Sequence, residues 1–292
     1  MPLSAPPPRL SVILVNYNAG PLLTEAVASV LAGASPLEVL VSDNGSWDGS
    51  LRLLEATFGQ RPELRILRQG RNLGFAAANN RAIEQARGDW LLFLNPDCVL
   101  HPQASERLLQ ALAANPAAGM AGARLRNPDG SEQRGCRRNL PSLGRSLGKA
   151  LGIRRWNRMD LQDAPLPAGP QAVEAISGAC MLVRRAALEA VGPWDEGFFL
   201  HCEDLDWCAR FQAKGWRILF VPAAEVTHRQ GACSRHRPLF VEWHKHLGMA
   251  RYFRKHTHGG MRLWTPLVYA GILARFALVA ARGLLVRPRP PI

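Results

Sequence analysis

A chain of 292 residues, 47% hydrophobic and 20% charged, is long enough to bury a sizeable core and is neither disordered nor fibrous. Its 36 Lys and Arg against 23 Asp and Glu leave a formal charge of +13, which calls for an acidic partner: nucleic acid, anionic lipid or a phosphorylated small molecule. Cys98, Cys136, Cys180, Cys202, Cys208 and Cys233 are scattered without a CxxC pair, which excludes a disulfide-stapled small fold or a zinc cluster and implies reduced thiols in a cytosolic protein.

Met1 to Arg9 is proline-rich and lacks the basic and apolar stretches of a signal peptide, so a flexible N-terminus and no export by that route are expected. Leu10 to Val15 reads as a strand, Asn16 to Gly20 as a turn and Leu22 to Leu31 as a helix. The same unit recurs as strand Val39 to Ser42 with helix Ser50 to Phe58, and strand Leu64 to Leu67 with helix Ala76 to Ala86. A fourth strand, Trp90 to Leu94, leads through Asn95-Pro96-Asp97 to a helix from Pro102 to Ala114. Strands alternating with helices imply parallel pairing in a doubly wound sheet, which binds ligands at its carboxyl strand ends. Asp43 and Asp97 stand at such ends.

From Arg134 to Gly169 the periodicity gives way to Gly, Pro and basic residues (Arg134, Arg137, Arg138, Arg145, Lys149, Arg154, Arg155, Arg158). This reads as a mobile basic segment near substrate or membrane, or as a merely solvated loop. Strand Ala179 to Val183, a short helix to Val191, the loop Gly192 to Cys202, helix Asp204 to Lys214 and strand Arg217 to Val221 complete the domain. Pro266 to Val286 is strongly apolar but carries Arg275 and Arg282 on one helical face, with Arg287 and Arg289 beyond. That fits a helix lying in a membrane interface better than one crossing it; a soluble packing helix is the alternative. The expected division is a domain over 10–235, made of a nucleotide-binding half (10–130), the basic segment (134–169) and an acceptor and catalytic half (171–235), followed by a helical membrane-associating extension over 236–292.

Asp97 follows an apolar strand and a turn-forming Asn95-Pro96, so its carboxylate should project from the ligand edge, where a hard cation such as Mg2+ or Mn2+ could sit with substrate phosphates. A bare turn or helix cap is the plainer reading. Asp43, before Asn44-Gly45-Ser46, offers a carboxylate and an amide to a base and ribose, or simply makes a turn. Gly74, within Arg71 to Asn80, lets backbone approach a phosphate at a helix start, and the missing GxGxxG weighs against dinucleotide binding. Glu203, Asp204 and Asp206 bring three carboxylates to one predicted helix start, after the aromatic loop Trp194 to Phe199. Capping and the helix dipole account for one or two; three suggest a general base. Asp206, four residues before Arg210, is the structural member, leaving Glu203 or Asp204 for proton abstraction. His228 could add a neutral nitrogen to a metal site or be structural.

Together, Ser11-Val-Ile-Leu-Val-Asn-Tyr-Asn18, Val41-Ser-Asp-Asn-Gly-Ser46, Asn72-Leu-Gly-Phe-Ala-Ala-Ala-Asn-Asn80, Leu94-Asn-Pro-Asp97, Gly178-Ala-Cys-Met181 and Phe198-Phe-Leu-His-Cys-Glu-Asp-Leu-Asp206 with His228 resemble the family 2 glycosyltransferases, and among them the bacterial rhamnosyltransferase-like branch. The match runs from about Leu10 to Ser234. The resemblance implies an α/β GT-A fold: a doubly wound, mostly parallel central sheet flanked by helices. It implies a metal-dependent, inverting transfer of a sugar from a nucleotide diphosphate donor, dTDP-L-rhamnose first and UDP- or GDP-sugars next. The acceptor would be a hydroxyl of a glycan or polyprenyl-diphosphate-linked glycan in cell-surface polysaccharide synthesis, at the cytoplasmic face of an anionic plasma membrane.

By the same resemblance Asp43 contacts a pyrimidine base, Asp97 binds the metal, His228 completes the metal site and Asp204 is the catalytic base, with Glu203 beside it. Asn16, Tyr17, Asn44, Asn72, Gly74 and Asn95 are the remaining donor-binding candidates, and Gly178, Trp194 and Phe199 the acceptor-binding ones. Many relatives carry Asp-x-Asp or Asp-Asp where this chain has Asn95-Pro96-Asp97, so the donor's phosphates are left to complete the metal site. Nucleic acid is not among the expected partners, and a homo-oligomer is left open. Two rivals are a nucleotidyltransferase, whose Gly-rich phosphate loop Tyr17-Asn-Ala-Gly-Pro21 does not supply, and a non-enzymatic basic membrane- or nucleic-acid-binding protein whose acidic motifs are only caps and turns.

Overall fold

A computed structural model describes residues 10–33, 38–150, 159–233 and 237–285. The apolar runs become β1 (Leu10–Asn16), β2 (Glu38–Asp43), β3 (Leu64–Arg68) and β4 (Trp90–Leu94), with α1 (Pro21–Leu31), α2 (Ser50–Phe58) and α3 (Phe75–Ile83) between them. β1, β2 and β4 are buried along their whole length, which is why they show no polar alternation. Beyond β4 come β5 (Cys98–Leu100), α4 (Ala104–Ala113), β6 (Ala118–Arg126), β7 (Arg137–Arg138), α5 (Leu143–Ala150), β8 (Gln171–Val173), β9 (Ala175–Ile176), β10 (Cys180–Arg184) and α6 (Arg185–Val191). The chain then forms α7 (Glu203–Ala213), β11 (Arg217–His228), α8 (Pro238–His256), a 3-10 turn (Gly259–Trp264) and α9 (Thr265–Leu285).

The main sheet has the order β3-β2-β1-β4-β10-β6-β11-β5, with β8 also paired to β11. β1 to β4, β6 and β11 point one way; β5, β8 and β10 point the other. The sheet is therefore mostly parallel, as expected, with β10 as an antiparallel splice between its halves. It also separates two cores with a period of two along each strand. Val12, Leu14, Leu92 and Leu94 face α1, α2 and α4, while Ile13, Leu91 and Phe93 face α3, α6 and α7.

β5 and β6 lie beyond the sequence reading, and packing explains the second. A Cβ on Gly119 would stand 2.8 Å from Ala187 Cβ, and one on Gly122 2.7 Å from Ile176 Cβ. Only small residues let α6 and β9 press onto β6, and small residues are poor strand signals.

In the described parts of the basic segment over 134–169, read as a mobile segment or a solvated loop, the arginines are paired. Arg134 pairs with Asp160 (2.8 Å), the buried Arg137 with Glu132 (2.8 Å), Arg145 with Glu174 (2.6 Å), and Arg138 with Asp204. These arginines balance internal acids rather than forming a free basic patch. Arg154, Arg155 and Arg158, the side chains of Lys149 and Arg282, Arg287, Arg289 and the stretch Met1 to Arg9 lie outside the described residues.

α8 is not a separate extension either. Its Tyr252 and Phe253 are buried in the core that holds Trp207. Arg251 and Lys255 pair with Asp195 at 2.7 and 2.8 Å, and Lys255 and His256 pair with Asp206 at 2.8 Å. Helices therefore continue beyond residue 235 as expected, but the first of them belongs to the domain.

Glu38, 1% exposed at the start of β2, joins β1, β3 and the turn before β4. It accepts from Ser11 Oγ (2.9 Å), Arg87 N (2.6 Å), Arg87 Nε (3.1 Å) and Arg65 (3.3 Å). Burial by itself raises its carboxyl, but these donors outweigh burial and hold it below the ordinary value of 4.5. Glu38→Gln is expected to lower unfolding free energy at pH 7 by about 2–3 kcal/mol, measured by denaturant titration. Because the folded pKa is depressed, the ionised group's stabilisation is complete above 4.5 and is lost as pH falls through the folded value, so the gap between variant and wild type should narrow there.

Candidate active site

The carboxyl ends of β1, β2, β4 and β11 carry Asn16, Asp43, the Asn95-Pro96-Asp97 turn and His228. Asn16 Nδ2 donates to Asp43 Oδ1 (2.8 Å) and to Ser50 Oγ (2.9 Å). Asp43 Oδ2 accepts from the amides of Gly45 (3.2 Å) and Ser46 (3.1 Å). Asn44 Nδ2 donates to the Gly74 carbonyl (3.1 Å), and Asn72 Oδ1 accepts from the Gly74 amide (2.9 Å). Asp43, Asn44 and Asn72 thus lock the loops after β1, β2 and β3 together. Both Asp43 oxygens already serve the loop, leaving only their remaining lone pairs for a ligand. Tyr17 stands edge-on to Trp47 with centroids 5.5 Å apart, and Trp47 is 67% exposed. Trp47 is absent from the sequence candidates, although an aromatic inside a Gly-Ser turn at a strand end is a signal for it.

Pairing of β11 with β5 sets His228 opposite Cys98 and so beside Asp97. His228 Nε2 lies 3.2 Å from Asp97 Oδ1, and both residues are buried. On its other side His228 Nδ1 is 2.6 Å from Gln133 Oε1. Gln133 Nε2 donates to Asn127 Oδ1 (3.0 Å) and the His228 carbonyl (3.3 Å), which fixes its oxygen toward the ring. Nδ1 therefore carries the proton of neutral His228, and the Nε2 lone pair faces a carboxylate oxygen. Two electron-rich atoms so placed need a cation between them, either a proton or a metal.

The donor set fits a hard divalent ion. Two ligands at right angles, each about 2.1 Å from such an ion, stand about 3 Å apart, close to the observed separation. Asn95 Oδ1 is buried with no partner among the described residues, a further acceptor on the same turn. Cys98 also lies within 4.8 Å of the pair. Burial, then the Asp97 charge, pushes its thiol well above the ordinary range, and it bonds the Ala179 carbonyl at 3.5 Å, so it offers no thiolate.

The carboxylate cluster sits at the start of α7, after His201 (φ 68°) and Cys202 (φ 69°), two consecutive non-glycine residues in the left-handed region. Each costs about 1–3 kcal/mol and persists because the surroundings enforce it. Asp204 Oδ2 is held by Arg138 and by the Gly178 amide (3.2 Å), while Oδ1 accepts only the Leu205 amide (2.8 Å) among the described residues. Gly178, expected at the acceptor, instead cradles this carboxylate: a Cβ there would lie 3.2 Å from Asp204 Cβ. Arg138 was hidden among the basic residues of its segment. Glu203 is buried, Oε2 has no partner among the described residues, and burial followed by the Asp204 charge pushes its carboxyl up to about 8. That direction favours its protonated form. Asp206 is structural as expected, paired with Arg210 at 2.8 Å.

Trp194, expected at the acceptor surface, is 2% exposed and packs on Phe93 and Trp207 with centroids 5.4 and 4.0 Å away. It anchors the loop from inside. Phe199 is half-buried, lies against Gly74, and stacks near His244 with centroids 4.5 Å apart.

The model described as "Glycosyl transferase family 2" matches residues 11–192, and that described as "Glycosyl transferase family group 2" matches residues 148–287. An N-acetylglucosaminyl-diphospho-decaprenol L-rhamnosyltransferase of Mycobacterium tuberculosis is 37% identical over 238 residues, 76% of this chain and 76% of that protein. Among solved structures, the mannosyltransferase PcManGT from Pyrobaculum calidifontis in complex with GDP-Man and Mn2+ aligns with TM-score 0.60 and 18% identity, covering 97% of this chain and 77% of that one. GalNAc-T7 with UDP, GalNAc and Mn2+ aligns with TM-score 0.59 and 18% identity, covering 76% and 44%. At that identity the structural likeness establishes the shared fold.

Gln133→Leu keeps both facing atoms but removes the acceptor that fixes the His228 proton. It is expected to weaken Mn2+ binding, titrated by electron paramagnetic resonance with a nucleoside diphosphate present, by about 10- to 100-fold.

Proposed function

We infer the reaction from the family: this chain belongs to glycosyl transferase family 2, and it is a glycosyltransferase. One observation carries the mechanistic reading. The turn Ser177-Gly178-Ala179 touches both chemical centres, since the Ala179 carbonyl accepts from the Asn95 amide (2.9 Å) and the Gly178 amide donates to Asp204 Oδ2 (3.2 Å). A leaving-group site and a base site are thus a single turn apart.

Asp97 and His228, with Asn95 beside them, would hold a divalent cation, Mg2+ or Mn2+. When bound, the ion supplies charge neutralisation to the donor's diphosphate. Asp204 Oδ1 takes the proton of an acceptor hydroxyl, and that oxygen attacks the anomeric carbon opposite the departing nucleoside diphosphate. The new C–O bond forms as the old one to the diphosphate breaks, so configuration inverts and no sugar-enzyme bond is made. Arg138 and Gly178 hold Oδ2 and thereby aim Oδ1. Glu203, in its favoured protonated form, adds no second charge. Asp43 and Asn44 contribute to base and ribose recognition through their remaining lone pairs, with Asn16, Tyr17, Asn72 and Gly74 shaping that edge.

The donor is dTDP-L-rhamnose, a choice supported by the Asn-Pro-Asp form of the turn and by the named activity of the Mycobacterium tuberculosis relative. The same support makes a polyprenyl-diphosphate-linked N-acetylglucosamine the acceptor and cell-wall polysaccharide synthesis the setting, at the cytoplasmic face of the membrane.

Asp204→Asn is expected to lower transfer by about a hundredfold or more while leaving donor affinity, by calorimetry, within about twofold of wild type. Full transfer by this variant would remove Asp204 from the base role.

A further inference from the structure

α9 is apolar on both sides. Its inward residues Val268 and Ile272 pack on the core, and Phe276 meets Trp243 and His246 with centroids 5.1 and 5.4 Å away. Its outward residues Leu267, Leu273 and Leu278 are 60–63% exposed. The stretch Arg262–Ala281 is long and apolar enough to cross a membrane, and none of it is buried. Arg275 apart, the exposed described residues of α9 are apolar, and such a side needs an apolar cover. α8 extends the surface, because Leu239, Trp243 and Leu247 recur every fourth residue on one stripe and are 42–45% exposed.

Charge indicates what covers this face. Glu242 is the last acidic residue of the chain, whereas Arg254, Arg262 and Arg275 follow it. Beyond Glu242 the sequence adds only cations, and an apolar surface with that charge attracts anionic headgroups and repels a second copy of itself. The face also abuts the base. Phe240 and His244, on the same half of α8, lie against Phe199 with centroids 5.8 and 4.5 Å away. The His201 carbonyl sits so close to Gly248 that a Cβ there would stand 2.6 Å from it.

We propose that the outer faces of α8 and α9 form one docking surface for an anionic lipid bilayer, lying in its interface, with Phe199, Phe240 and His244 as the edge at which a lipid-linked acceptor passes from membrane to Asp204. α9 lies in the plane rather than crossing, because its Val268, Ile272 and Phe276 side covers α8 and the core. The route of the acceptor rests on the glycosyl-transfer reading; the docking surface does not.

The test uses the full chain and a triple variant, Leu267→Glu, Leu273→Glu and Leu278→Glu, all at outward positions. Vesicle flotation is done with phosphatidylcholine alone and with added phosphatidylglycerol, without acceptor. Wild type should float with the anionic vesicles, more weakly with neutral ones, and be released by a high-pH carbonate wash. The triple variant should partition at least about tenfold less. Its transfer to a short-chain, water-soluble acceptor should stay within about twofold of wild type, while transfer to a long-chain acceptor in vesicles falls about tenfold or more. Equal flotation of the two proteins, or none by wild type, would overturn the docking surface, and resistance to carbonate would overturn the in-plane placement. A wild-type dimer that the triple variant turns into a monomer, with no vesicle binding by either, would assign the face to a second copy instead. Flotation as expected with no transfer to any acceptor would overturn the route and the glycosyl reading but leave the surface standing.

Discussion

His228 Nε2 and Asp97 Oδ1 face one another at 3.2 Å, with Gln133 Oε1 accepting from Nδ1 on the far side. A lone pair and an anion that close repel, so the native arrangement is stable only with positive charge between them. Much of the topology serves to hold this confrontation. β4 delivers Asp97, β11 delivers His228, and the short reversed strand β5 sets their register, with Arg229 N donating to the Asp97 carbonyl at 3.0 Å. β10, spliced between β4 and β6, keeps the two halves of the sheet at fixed separation. The proposed cation site, preformed in this way, needs no reorganisation when a diphosphate arrives.

The carboxylate proposed as base is prepared by a different device. Asp204 follows two strained residues, His201 and Cys202, and its Oδ2 is claimed by Arg138 and Gly178, so only Oδ1 is left to accept a proton. Burial favours the protonated form of its neighbour Glu203, and Asp206 is consumed by Arg210, Lys255 and His256. Of three carboxylates in four residues, Asp204 alone has an oxygen, Oδ1, held among the described residues only by a backbone amide. The same acids, Asp206 and the neighbouring Asp195, tie α8 to the domain, so the apolar face outside and the base inside share one support.

The parallel half of the fold was legible because its strands are continuous apolar runs and its helices keep their period; Asp43 and Asp97 stood out because each follows such a run, and Asp204 because three acids share one helix start. β6 was not, since its glycines are set by pressure from Ile176 and Ala187, which no local pattern reveals. Arg138 and Gln133 were missed for a related reason: their roles come from partners 66 and 95 residues away. Trp194 misled because an aromatic loop reads alike whether its rings face outward or, as here, inward. The arginines of the basic segment misled in the same sense, since a cation's partner cannot be read from its own neighbourhood.

Incubating wild type with dTDP-L-rhamnose and a polyprenyl-diphosphate-linked N-acetylglucosamine, with Mg2+ or Mn2+ and in parallel with a chelator, and identifying the lipid product by mass spectrometry, tests the cation site and the transfer together. One deoxyhexose added to the acceptor only when the divalent ion is present is the predicted result. Equal product in the presence of chelator would contradict the reading of Asp97 and His228 on which the account stands.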